Sequence, residues 1–341
     1  MKTLTKITWI AALLMVLLFS SCDRDNNTSH AGLVPDHPRI LMRAGEESLV
    51  KNNIGSEIMW NTIHGLIITE CNMLLVKPPV ERVLIGRRLL DKSNEALKRI
   101  FYLSYAYRMT GNKAFLNRAE QEMLAVSAFS DWNPSHFLDV AEMTMAVAIG
   151  YDWLYKNLSE NSRAIIRDAI INKGLKPSLD SKYNSWLKSS TNWNQVCNAG
   201  MTYGALAIWE SDTTLASEII SRACESIVLP MKDYQPDGAY PEGYGYWGYG
   251  TSFNVMFLSA YEKAFGKKFE GAGVEELLKT PYYMVNMTGP SGKCFNYSDN
   301  GSGAGVHPAM FWLSGRINDF SVLYEEKKFL GKVKSASDRL L

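Results

Sequence analysis

From position 135 to 158 the chain reads SHFLDVAEMTMAVAIGYDWLYKNL, apolar almost all round. A helix of that kind stays in water only if neighbours cover it on both sides. The next segment, SENSRAIIRDAIINKGL (159–175), is amphipathic, with Ser159 placed as its N-cap. The pairing recurs. TNWNQVCNAGMTYGALAIW (191–209) is apolar, and TTLASEIISRACESIVLPM (213–231) is amphipathic. Upstream, SNEALKRIFYLSYAYRMTG (93–111) has helical spacing and a terminal glycine that stops it, and NKAFLNRAEQEMLAVSAF follows as its more polar partner. A further apolar helix starts within 237–253 and runs to about Phe265. Inner and outer helices alternating without a strand series predict an all-α fold, an incomplete α/α toroid of stacked helical hairpins over residues 36–341.

The chain of 341 residues opens like an exported protein. Lys2 and Lys6 precede an apolar run from Ile10 to Phe19, too short to span a membrane, and LFSSC then leads to Cys22. Small residues before a cysteine resemble a bacterial lipoprotein cleavage site. On that reading 1–21 is a signal peptide and Cys22 carries the lipid. Residues 22–35 form a tether, and the protein sits in the cell envelope, periplasmic or on the outer-membrane surface. A formal net charge of +1 gives no global field to attract nucleic acid. Cys71, Cys197, Cys224 and Cys294 lie far apart without a CxxC, which argues for buried thiols and against a metal. No pattern calls for a cofactor.

Polar residues gather at the N-terminal turns of the inner helices. His136, Asp139 and Glu142 stand on one, and Asn192, Asn194, Gln195 and Asn198 on the next. Helix N-termini offer unpaired N–H groups and partial positive charge, which suit a carboxylate. DGAYPEGYGYWGYGTSF (237–253) adds four tyrosines and five glycines. Tyr240, Tyr244, Tyr246, Trp247 and Tyr249 supply rings that stack on sugar faces, amides bond hydroxyls, and the glycines let backbone approach a ligand. The plainer alternative is a helix–helix turn with aromatic packing.

The segments HPRILM (37–42), HFLDVAEMTMAVAIGYDWLY (136–155), NWNQVCNAG (192–200), DGAYPEGYGYWGYG (237–250) and FNYSDNG (295–301) together resemble the heparinase II/III-like and alginate-lyase-like polysaccharide lyases. That family joins an N-terminal α/α toroid to a C-terminal β-sandwich, and SASDRLL at the end of this chain falls near where the sandwich would begin. The resemblance therefore covers the toroid and leaves the sandwich absent. It implies β-elimination at uronic acids: a group neutralises the carboxylate, a base takes the C5 proton and an acid protonates O4. The carboxylate ligand maps onto Asn194, with Asn192 close behind. The catalytic tyrosine maps onto Tyr246, where Trp247 stands in place of the usual following histidine.

Tyrosine titrates near 10 and needs a supporting group to act as a base, for which Arg87, Arg88 and Arg99 are candidates. His136 and His307 are further acid/base candidates. Asn192, Gln195, Asn198, Tyr240, Tyr244, Trp247 and Tyr249 are expected to contact substrate. His64 reads as structural, Asp152 as a helix-end tether, and Tyr297 and Asp299 as shapers of their loop. Two other readings stay open. A glycoside hydrolase needs opposed carboxylates. Asp139 and Glu142 share one helical turn, while Asp237 and Glu242 keep the reading alive. The other is a non-catalytic glycan-binding lipoprotein. No Arg or Lys lies in 234–256, which favours a non-sulfated uronan such as alginate over heparan sulfate.

Overall fold

The computed structural model describes residues 34–335. Cys22, the signal peptide and most of the tether lie outside the described residues. Within them the chain is mostly helical and holds no strand. The longer helices are α1 (Glu47–Ser56), α2 (Ile58–Leu74), α3 (Leu90–Thr110), α4 (Lys113–Ser127), α5 (Phe137–Leu154), α6 (Glu160–Ala169), α7 (Asn192–Ala207), α8 (Thr213–Ser226), α9 (Tyr244–Phe265), α10 (Pro308–Ile317) and α11 (Tyr324–Leu330). None is long and apolar enough to cross a membrane.

Helices α3, α5, α7 and α9 pack side by side in that order, and α10 lies against α9. Every residue of α5 is buried, and all of α7 except Trp193. By contrast, α6 buries only Ser162, Ile166 and Ala169, a stripe at helical spacing. This outer helix packs on α4 and α5, while α4 covers α3 and α8 covers α7. The caps follow the sequence. Ser159 Oγ accepts from Ser162 N at 3.0 Å, and Gly111 ends α3 in the left-handed conformation at φ 72°.

The four inner helices run in one direction. Ser93 near the start of α3 donates to Asp139 O in the first turn of α5, and at the far ends the Arg108 guanidinium lies over Trp153. Ala141 and Thr144 of α5 face Gly200 and Gly204 of α7 in step, so close that a Cβ on Gly200 would meet Ala141 O at 2.3 Å. Between α7 and α9, Gly250 meets Gln195 at one end while the Trp209 and Phe265 rings lie 6.0 Å apart at the other. All the N-terminal turns therefore share one face.

Two helices end earlier than their patterns predict. The segment 159–175 is α-helical only to Ala169, then widens into a π-helical turn, Ile170–Leu175, with Gly174 against Thr144. The segment 213–231 breaks after Ser226 and resumes as a single short turn containing Pro230.

Candidate functional site

Side chains on the shared face link the four inner helices. The His136 ring, at the N-cap of α5, meets the Trp193 ring of α7 edge-on at 4.9 Å. Asn192 at the start of α7 donates through Nδ2 to both oxygens of Glu242, each at 3.0 Å, just ahead of α9. Tyr249, in the second turn of α9, donates its hydroxyl to Glu142 Oε1 of α5 at 2.5 Å, and Asn94 Nδ2 of α3 donates to Glu142 Oε2 at 2.5 Å.

Behind these contacts several polar groups bond to one another. His136 Nδ1 bonds Asp139 Oδ1 at 2.6 Å, and Asp139 Oδ2 also accepts from Leu89 N and Asn133 Nδ2, each at 2.6 Å. Tyr240 donates to Glu242 at 2.8 Å, and Gln195 donates to Tyr234 at 3.0 Å. Burial raises the Tyr240 hydroxyl far above the usual tyrosine range, and the Glu242 carboxylate beside it adds to the shift.

Two cavities flank the Tyr249–Glu142 bond. One of about 700 Å³ is lined by Tyr249, Ser252, Gly305, His307 and Lys332. The other, of about 550 Å³, has mostly apolar walls from Phe101, Tyr102, Phe253 and Met256, with Asn94 and Glu142 on its lining. Ser252 and Pro308 line both. His307 packs against Tyr244 and Trp247, with ring centroids at 4.7 and 5.3 Å, and a Cβ on Gly248 would meet its ring at 2.2 Å. Its backbone N–H donates to Glu326 at 2.7 Å. Burial lifts the Glu326 carboxyl to about 7, against the lowering effect of that bond.

Several expected roles change here. Asn194 turns away from the shared face. Its side chain is fully buried, donating to Ser226 Oγ at 2.9 Å and accepting from Asn198 at 2.7 Å. Asn198 follows it to Ser226, and Gln195 stays inside the fold, so none of these amides faces a cavity. Trp247 is a core residue whose indole donates to Thr280 at 2.7 Å. Tyr240 and Tyr244 are buried, Tyr244 with its hydroxyl on Gly305 O and its titration pushed up to about 12 by burial. The glycines admit protein groups where a ligand was expected: His307 at Gly248, Gln195 at Gly250 and Asn300 at Gly245. Arg99 pairs with Glu122 at 2.9 Å and with Glu95, not with a tyrosine, while Arg87 and Arg88 are exposed.

Other placements lie closer to the reading of the sequence. Tyr246 is 37% exposed on the first turn of α9. His136 is buried at its helix end, and His307 reaches the larger cavity. Tyr297 holds its loop by bonding Tyr283 at 2.6 Å. His64 pairs with Tyr105 at 3.1 Å. Asp152 tethers the N-terminal segment, accepting from Arg39 N at 3.0 Å and Ile40 N at 2.9 Å. Asn94, Ser252 and Lys332 were not singled out by the sequence. Asn94 follows Ser93 in the first turn of α3, where a polar pair matches the polar N-terminal turns of α5 and α7. No family model matches the chain, and no curated protein matches it.

Proposed function

We propose that this chain is a polysaccharide lyase of the heparinase II/III-like and alginate-lyase-like kind, cleaving uronic-acid-containing glycans by β-elimination. The helical array is then the toroidal part of such an enzyme, lipid-anchored through Cys22 in the cell envelope. One observation carries the reading. The N-terminal turns of α5, α7 and α9 are joined through His136–Trp193, Asn192–Glu242 and Glu142–Tyr249, and Tyr249 of the last pair lines a cavity large enough for sugar rings.

The chemistry at that convergence favours elimination over hydrolysis. A hydrolase needs one carboxyl group to deliver a proton and a second across the bond. Glu142 and Glu242 each accept two side-chain donors, Tyr249 with Asn94 and Asn192 with Tyr240. Phenol and imidazole groups are open to solvent or to the larger cavity: Tyr246 is 37% exposed one turn before Tyr249 on α9, and Tyr249 and His307 line the cavity wall. With Asn194 facing away, neutralising the substrate carboxylate falls to groups at the larger cavity, His307 and Lys332.

The test is incubation of the chain with alginate and other uronic-acid polymers. Elimination leaves a double bond conjugated to the carboxylate, so the products absorb ultraviolet light. New reducing ends without absorbance would instead favour the hydrolase, and retention of the polymer without any cut would favour a glycan receptor.

A further inference from the structure

We propose that Tyr249, Glu142 and Asn94 form a proton relay, with Tyr249 as the catalytic acid and base and Glu142 as the store behind it. The proposal rests on the lyase reading and names the group that moves the proton within it.

Three helices meet at this triad. Tyr249 of α9 donates to Glu142 Oε1 of α5 at 2.5 Å, and Asn94 of α3 holds the other oxygen at 2.5 Å. Glu142 is 1% exposed, and its two oxygens are taken up by Tyr249 and Asn94 at the edge of the smaller cavity. Tyr249 lies on the wall of the larger cavity, and its hydroxyl is the link between that cavity and the buried carboxylate.

A phenol alone is a poor base, because a free hydroxyl titrates near 10. Glu142 changes what Tyr249 can do. As the C5–H bond breaks, its proton passes to Tyr249 Oη while the phenolic proton moves to Glu142, so no phenolate forms. The C–H electron pair becomes the C4–C5 double bond and the C4–O4 bond breaks. Tyr249 then gives a proton to the departing O4 and recovers one from Glu142. The net transfer is one proton from C5 to O4, with no co-reactant. Asn94 keeps Glu142 in position and ionised between turnovers.

Tyr246 lacks this support. It stands one turn earlier on α9, 37% exposed, and no described residue hydrogen-bonds its hydroxyl. On this arrangement it is a stacking surface for a sugar ring.

The experiment is a pH–rate profile on a uronan for the full chain and for Tyr249→Phe, Glu142→Gln, Asn94→Ala and Tyr246→Phe. Tyr249→Phe and Glu142→Gln are expected to lower kcat by roughly 10²-fold or more, with KM within about threefold. In Glu142→Gln the fall in rate on the acid side, set by protonation of Glu142, should vanish. In Asn94→Ala it should move to higher pH, because the carboxylate has lost a donor that favours its ionised form. A packing role alone would move neither limb. If Glu142→Gln fails to fold, the Asn94→Ala limb decides. An elimination product formed at full rate by Tyr249→Phe, or an unmoved acid limb in Asn94→Ala, overturns the relay and leaves the lyase standing. If the unaltered chain gives no ultraviolet-absorbing product from any uronan, the lyase reading itself falls and takes the relay with it.

Discussion

Two residues apart on a helix, Asn192 and Asn194 cannot face the same way, and the structure divides them as that spacing requires. Asn192 reaches Glu242 at the shared face, whereas Asn194 joins α7 to Ser226 of the outer helix α8. The clustering of amides was legible in the sequence, but which amide serves which partner was not, because that depends on the position of α8. Trp247 shows the same limit: it adjoins Tyr246 yet points into the core toward Thr280. Asn194→Ala should therefore act on stability more than on turnover. It removes one donor to Ser226 Oγ and one acceptor of Asn198 Nδ2, leaving the bond between those two and that from Ser226 to Leu187 O, a loss of about 1–3 kcal/mol. Thermal unfolding beside a uronan assay will check it. A stable variant with abolished turnover would return Asn194 to the substrate.

The inner helices were legible because α5 and α7 are apolar on every side, a pattern only a doubly covered helix tolerates. The extent of α9, Tyr244–Phe265, also agrees with the sequence, against its local composition. Glycines at 245, 248 and 250 disfavour a helix by propensity, and the close approach of Asn300, His307 and Gln195 outweighs that cost. The N-terminal segment held no visible partner at all. Its latch joins residues more than a hundred positions apart: His37 Nδ1 bonds Asp152 and Nε2 bonds Glu210, each at 2.6 Å. Burial works against the His37 cation, but the bonds to Asp152 and Glu210 outweigh it and raise its titration above 6.5. Burial likewise opposes the Glu210 charge, yet His37 and Arg39 hold that carboxyl down to about 2. The His37 contribution is thus complete below pH 6.5 and is lost as pH rises through its raised value. The Glu210 contribution is complete above 4.5 and is lost as pH falls toward 2. Amide exchange over residues 37–42, corrected for intrinsic rates, should be slowest between those limits and faster in alkali. Protection that stays level through the alkaline range would show that the His37 charge does not hold the segment.

At the scale of the whole molecule, parallel inner helices bring their N-terminal turns to one face, and the site is a consequence of that direction. Tyr249, Glu142 and Asn94 come from three helices and meet only because α3, α5 and α9 run the same way. The sequence carried the helix order and the polar ends. It did not carry the cavity beside them, whose far wall comes from the 304–308 loop and from Phe329 and Lys332. The central claim is that this face breaks a glycosidic bond without water. Cleavage of a uronan in oxygen-18 water, read by mass spectrometry of the fragments immediately after the cut, tests it directly. Elimination predicts fragments whose masses sum to that of the parent chain, with one new unsaturated end per cut and no solvent oxygen incorporated by the cleavage. A water added at every cut, carrying one labelled oxygen into the products, would contradict it.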